Sequence, residues 1–236
     1  MIKKFIPLFI KLFFKRMRDF LTWDQWINQS YSQEGEDMVL KRIFGDKKKV
    51  FYVDVGAHHP KRFSNTYLLY KNGSKGINID ASPGSMKLFN KLRPGDINIE
   101  IGVSAKKGEL DYYVFNEPAL NSFSKELSEK IDKEKNLFFI KKVIKVKVER
   151  LDKILDNNLI INEIDFFNID VEGLDFDVLQ SNDWSKYRPK FVLVEILGAS
   201  LHVLDEHPIV KFMREKDYEI YAKQVNTMFF KEKNYN

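Results

Sequence analysis

No cysteine occurs among the 236 residues of the chain. That absence excludes disulfides, thiolate metal sites and cysteine nucleophiles together, and it fits a reducing compartment. No uninterrupted apolar run approaches the roughly 20 residues needed to cross a bilayer. No small-residue cleavage site follows the N-terminal segment, so a secretory signal is not expected. Internal repeats and Gly/Ser linkers are also missing, and nothing marks a second folded domain. Basic charge in excess is confined to one end. Residues 1–19 carry Lys3, Lys4, Lys11, Lys15, Arg16 and Arg18 against Asp19, which accounts for the whole formal excess of +5. A nucleic-acid enzyme spreads basic residues around its cleft, so the neutral remainder argues against DNA or RNA as substrate. What the chain does have, 44% hydrophobic and 31% charged residues, suffices for one sizeable core.

The basic end has helical spacing. Lys4, Lys11, Lys15 and Arg18 share one face, and Phe5, Phe9, Leu12, Phe13 and Phe20 line much of the rest. A basic, aromatic-rich amphipathic helix suits the surface of an anionic membrane, and it suits packing on its own domain or a partner equally well. The expected organisation is a basic amphipathic segment over residues 1–30 and one folded domain over 31–236. The expected location is the cytoplasm, with peripheral contact at the inner face of the cell membrane through residues 1–20.

From residue 31 onward, strands and helices alternate. The patterns predict a short helix ending at Gly45, a strand from Phe51, a helix over Thr66–Asn72, a strand over 76–80 and a helix over 84–92. Arg93-Pro-Gly-Asp96 breaks that helix before a strand over Ile97–Val103, and the alternation of Glu109–Phe115 suggests its hairpin partner. Charged helix formers over 125–135 read as a lid or inserted helix. Strands over 143–148 and 163–170, helices from Leu151 and Leu174, and the strand Lys190–Glu195 follow. A helix near 208–216 and a hairpin of Tyr218–Lys223 with Thr227–Lys231 come last.

Several strands end in polar residues: Asp54, Asp80, Ser104, Asp170 and Glu195. In an open parallel sheet, ligands bind beyond the carboxyl ends of the strands. The run Phe51-Tyr-Val-Asp54-Val-Gly56-Ala57 is a strand, an acid and a small-residue turn, and Gly76-Ile-Asn-Ile-Asp80 ends a second strand in an acid. That order is how a doubly wound α/β domain holds an adenosine-containing cofactor, the second acid accepting from the ribose hydroxyls. Further blocks run in register with these: Ser32-Gln33-Glu34-Gly35-Glu36-Asp37, Ser64-Asn65-Thr66, Pro83, Arg93–Asp96, Ile169-Asp170-Val-Glu172-Gly173, Asn182-Asp183-Trp184 and Arg188-Pro189. Together they resemble the FkbM family of S-adenosylmethionine-dependent methyltransferases over about residues 31–231.

The resemblance implies a class I methyltransferase fold, Rossmann-like and doubly wound, with a mostly parallel seven-stranded sheet containing one antiparallel strand. It implies methyl transfer from S-adenosylmethionine to oxygen. Carried over, Asp54, Gly56 and Ala57 would line the methionine and ribose side of the cofactor, and Asp80 would bind the ribose. Gln33, Glu34 and Asp37 would lie over the methionyl end or the acceptor, and Ser104 near adenine. A sugar hydroxyl needs a base, for which Asp170 is the first choice, with Glu172 beside it and Glu195 behind. His58 or His59 competes, since an imidazole titrates nearer neutrality, although both also suit hydrogen bonding within a loop. Asp170 and Glu172, with Asp80 or His58, also suit Mg²⁺. Asn65 and Thr66 read as caps of the helix that follows, and Trp184 and Tyr187 as core aromatics or a sugar platform. The acceptor expected is a surface polysaccharide or lipid-linked glycan, against a small-molecule or polyketide acceptor. A non-catalytic nucleotide- or glycan-binding domain and a nicotinamide oxidoreductase are the other readings; the latter lacks closely spaced glycines where His58-His59-Pro60 stands.

Overall fold

Alternation with a period of two sorts the side chains of the central sheet onto two faces. The computed structural model describes residues 7–21, 27–45, 47, 49–134, 137–159, 163–198 and 200–235. Helices α1 (Leu8–Leu21), α2 (Glu36–Phe44), α3 (Tyr67–Lys71) and α4 (Ser85–Leu92) occupy the first part of the chain, and the first strands are β1 (Phe51–Val55), β2 (Lys75–Asp80) and β3 (Ile97–Glu100). An inserted region carries β4 (Gly102–Val103), β5 (Gly108–Phe115), α5 (Lys125–Lys133) and β6 (Ile140–Glu149). Then come α6 (Leu151–Asn158), β7 (Phe166–Ile169), α7 (Asp175–Gln180), β8 (Phe191–Glu195), α8 (Pro208–Glu215), β9 (Tyr218–Gln224) and β10 (Thr227–Glu232).

The main sheet has the order β3-β2-β1-β7-β8-β10-β9. Pairings are parallel from β3 through β8, and β10 is antiparallel to both its neighbours. This is the doubly wound, mostly parallel seven-stranded arrangement expected. One face buries Val53, Val55, Ile77, Ile79, Phe167, Ile169, Val192 and Val194 against α6, α7 and α8. The other buries Tyr52, Phe166, Phe191 and Leu193 against Leu40 and Phe44 of α2 and Leu69 of α3. Each such side chain contributes about 1.5–3 kcal/mol on leaving water, so helices are held on both sides. Their crossovers return every parallel strand in one direction, which puts the carboxyl ends on one rim.

The inserted region corrects the expected hairpin. The strand expected over 97–103 divides at Ile101, whose amide donates to Asp80 O, and Gly102–Val103 joins a second sheet of order β4-β6-β5. The partner of β5 is β6, 25 or more residues onward, in a register that also matches charge: Glu109 lies opposite Lys147, and Asp111 opposite Lys145 at 2.8 Å. Between them, α5 is a true inserted helix whose N-terminus is capped by Ser124 Oγ accepting from Leu127 N.

The residues up to Ser30 form a unit apart from Tyr31–Asn236. Within it, α1 supplies the amphipathic helix; Lys3, Lys4, Phe5 and the Phe20 side chain lie outside the described residues. Among the described residues, no helix is long and apolar enough to cross a membrane.

Candidate active site

Four parallel strands deliver Asp54, Asp80, Asp170 and Glu195 to the carboxyl rim, where they line one open cavity of about 1130 Å³ with its mouth included. Gly56 makes the turn after β1 possible. Its φ is +84°, and a Cβ there would stand 1.7 Å from the carbonyl oxygen of Asp170. No side chain fits so close to backbone, so only glycine lets β1 and β7 approach at this end.

The turn is tied to β2 through Asp80. One carboxylate oxygen accepts from His58 N at 2.9 Å and the other from Ser82 N at 2.8 Å. Each oxygen can accept a second hydrogen bond, which leaves capacity toward the cavity.

Asp54 stands on a buried polar network. Its carboxylate accepts from Thr66 Oγ1 at 2.7 Å and Asn168 Nδ2 at 2.9 Å, and Asn65 Nδ2 donates to Asn168 Oδ1 at 2.9 Å. Burial raises the Asp54 pKa, opposed by these hydrogen bonds and by Arg93. Asn65 and Thr66 therefore bond the strand ends and do not cap α3 with their side chains; Ser64 Oγ accepts from Tyr67 N. Arg93 and Asp96 are more than a helix breaker. Arg93 is fully buried and donates to Asp96 at 2.8 Å, Thr66 at 3.0 Å and Tyr52 at 2.6 Å.

The ends of β7 and β8 bring three carboxylates together. Asp170, Glu172 and Glu195 each offer an oxygen within 4.8 Å of the others. Burial raises Glu172 to about 7, with Asp175 adding to it. Burial and then Glu172 raise Glu195 to about 8, and Asp170 is raised by burial and by Glu195 and Glu172. Glu195 Oε2 is buried without a hydrogen-bond partner. Glu172 sits at φ +53°, held by Asp175, which accepts from the amides of Val171 and Gly173 at 3.1 Å. Strained backbone recurs here, since the positive-φ residues His58 and Phe63 also line the cavity.

The FkbM methyltransferase domain matches residues 54–220, most of the chain and all of this strand rim. The chain belongs to the FkbM methyltransferase family. Among solved structures it is similar to PH1948 from Pyrococcus horikoshii, described as a candidate RNA methyltransferase. That match has 10% identity and a TM-score of 0.44, and covers 84% of this chain and 83% of that one. The methyltransferase domain of METTL16 is similar at 11% identity with a TM-score of 0.44, over 84% of this chain and 66% of that one. No curated protein matches the chain by sequence.

FkbM membership implies S-adenosylmethionine as methyl donor, and the cavity fits such a group on its own terms. Seven carboxylates line it (Glu34, Glu36, Asp54, Asp80, Asp170, Glu172 and Glu195), with no lysine or arginine among the described lining residues. A sulfonium and an ammonium meet no lysine or arginine there and are attracted by those carboxyl groups that are ionised.

The remaining expected residues of this FkbM methyltransferase divide into those that line the cavity and those that do not. Gln33, Glu34 and Ala57 line it. Asp37 is fully buried away from it, accepting from Tyr31 N at 2.7 Å and Ser32 Oγ at 3.0 Å, so it staples the segment that leads into α2. Ser104 is also outside the lining: its amide donates to Glu149 O, and Ile101, Gly102 and Val103 just before it take the cavity wall. The two histidines part company. His59 Nδ1 accepts from the amides of Lys61 and Arg62 at 3.0 and 2.9 Å and serves the loop. His58 lines the cavity with Nε2 buried and without a partner, and burial lowers its pKa. Trp184 and Tyr187 are core residues: the indole donates to Leu179 O at 2.9 Å and the phenol to Asp156 at 2.8 Å.

Sequence reasoning missed Glu36, Phe63, Tyr112, Asn121, Phe123 and Asn168 as wall residues. Asn168 carries a legible signal, standing two positions before Asp170 on the same strand face. Tyr112, Asn121 and Phe123 come from the inserted region, where Tyr112 Oη and Ser82 Oγ are 2.8 Å apart.

Proposed function

We propose that this protein is an S-adenosylmethionine-dependent O-methyltransferase acting on a sugar hydroxyl of a surface polysaccharide or lipid-linked glycan. The observation that carries the reading is the carboxylate cluster of Asp170, Glu172 and Glu195 facing a cavity without cationic side chains. A nucleic acid or a phosphate finds no lysine or arginine there to pair with, whereas a neutral polyhydroxyl acceptor finds hydrogen-bonding carboxyl groups on several sides.

The donor supplies an electrophilic methyl on a sulfonium, so the chain's own task is positioning and proton removal. Asp80 holds hydroxyl groups with the oxygen capacity left beside its two amides. Asp170 accepts the acceptor hydroxyl's proton at a carboxylate oxygen. Raised by burial and then by its acidic neighbours, it is a stronger base than a solvated aspartate once ionised. Glu172 and Glu195 hold the acceptor's adjoining hydroxyls and keep the proton within the cluster. His58, neutral because burial lowers its pKa, is the competing base, with Nε2 available in the cavity.

A second reading has Mg²⁺ between Asp170, Glu172 and Glu195, favoured by their mutual reach. It would lower the acceptor pKa in place of a base. Activity that EDTA abolishes and Mg²⁺ restores selects that reading. The test of the main proposal incubates the protein with S-adenosylmethionine bearing a deuterated methyl and glycans from cells lacking its gene. The expected result is label on sugar oxygen by mass spectrometry. Label on a polyketide-like small molecule alone moves the acceptor class, and cofactor binding with no transfer to any acceptor supports the non-catalytic reading.

A further inference from the structure

We propose that α1 is an interfacial helix that docks on an anionic lipid bilayer. Leu8 is 72% exposed, Phe9 71%, Phe13 58% and Phe14 62%, so large apolar side chains face water within a unit apart from the catalytic one. At about 100° per residue, Phe9, Ile10, Phe13, Phe14 and Met17 fall within an arc of about 140°. Lys11, Lys15 and Arg18 fall within a neighbouring arc of about 60°, with Arg16 on the other flank. No acid stands in the first turn. An apolar sector bordered by cations on both sides matches the boundary between acyl chains and anionic headgroups.

Geometry sets the helix on the surface and not across it. Its 14 residues rise about 21 Å, short of the roughly 30 Å hydrocarbon core. Charge complementarity favours lipid over a protein groove, because residues 1–19 carry the formal excess of the entire chain, four of their six cations standing on α1 against Asp19 alone, while residues 20–236 are neutral. The inference does not depend on the methyl acceptor, and its failure would leave the catalytic reading untouched.

The full-length protein is sedimented with vesicles of phosphatidylcholine alone and with phosphatidylglycerol added, at low and high salt. Binding should be at least about tenfold stronger with phosphatidylglycerol and should weaken with salt. Phe9→Asp/Phe13→Asp should lose at least about tenfold in binding, and Lys11→Glu/Lys15→Glu should lose the preference for phosphatidylglycerol. Both variants should keep the wild-type melting transition and S-adenosylmethionine uptake. The inference is overturned if the wild type stays in the supernatant, binds both vesicles equally, or binds undiminished after Phe9→Asp/Phe13→Asp. Dimerisation through α1 with no vesicle binding overturns it as well.

Discussion

Arg93→Met removes a guanidinium that is wholly enclosed, its ion-pair partner Asp96 being equally inaccessible. Methionine keeps the length of the stem and packs well against the rings of Tyr52, Tyr70 and Phe89, which lie 5.4, 5.1 and 5.6 Å from the guanidinium carbon. Apolar contact is thus largely retained, and what is lost is charge and hydrogen bonding. Asp96 keeps its bonds from Tyr52 Oη, Gly76 N and Asn78 Nδ2 but has no counter-charge. Leaving one partner of a buried pair uncompensated costs about 3–5 kcal/mol. Against a total stability of about 5–15 kcal/mol, that is about a fifth of the whole or more. For a domain of this size each kcal/mol shifts Tm by about 2–4 °C, so the expected fall is about 10 °C. The assay is calorimetric or circular-dichroism melting of wild type, Arg93→Met, Asp96→Asn and the double variant. If the orphaned charge is the cause, Arg93→Met/Asp96→Asn should be more stable than the sum of the single losses by about 1–2 kcal/mol. A Tm shift under about 2 °C, or strictly additive losses, would refute the claim that this buried pair stabilises the domain through its compensated charge.

Three other outcomes are expected. Gly56→Ala should unfold the carboxyl rim or fail to accumulate, since its Cβ meets the Asp170 carbonyl and its φ is positive; limited proteolysis matching wild type would count against the turn. Acids with raised folded pKa values bind more protons folded than unfolded, so stability should fall as pH rises from about 4.3 to about 8. With Glu172 near 7 and Glu195 near 8, Glu195→Gln should flatten that fall and gain roughly 1–3 kcal/mol at pH 8, read from denaturant midpoints; a flat wild-type profile would contradict it. Asp170→Asn should lower kcat by about 100-fold or more with cofactor affinity within a few fold, and the wild-type rate should climb with pH above neutrality. An unchanged kcat would move the base to His58.

Local chemistry made most of the fold legible. Val53, Val55, Ile77 and Ile79 alternate with polar or aromatic neighbours, and the acid endings Asp54 and Asp80 marked where the rim lies. Asp170, Glu172 and Glu195 were readable as a set because two adjacent parallel strands must end side by side. What escaped depended on distant partners. Arg93 sits next to a proline and reads as a stop signal, yet its hydrogen bonds reach residues 27 and 41 positions away. Nothing local in β5 says whether it pairs with the strand before it or with β6, because both alternate; the observed register places its acids opposite lysines of the far strand. Asp37 and Ser104 were assigned to ligands because a polar residue near a strand or helix end suits either role. The Tyr31 amide and the Ser32 hydroxyl claim Asp37, and the small sheet claims Ser104.

Isothermal titration of S-adenosylmethionine into wild type and Asp80→Ala tests the account at its centre. Wild type should bind one equivalent per chain. Asp80→Ala should bind at least about tenfold more weakly, which is about 1.4 kcal/mol, while its melting curve still shows a cooperative fold. No detectable heat for wild type at millimolar donor, or equal affinity in folded Asp80→Ala, would contradict a cofactor seated between the β1 turn and the end of β2.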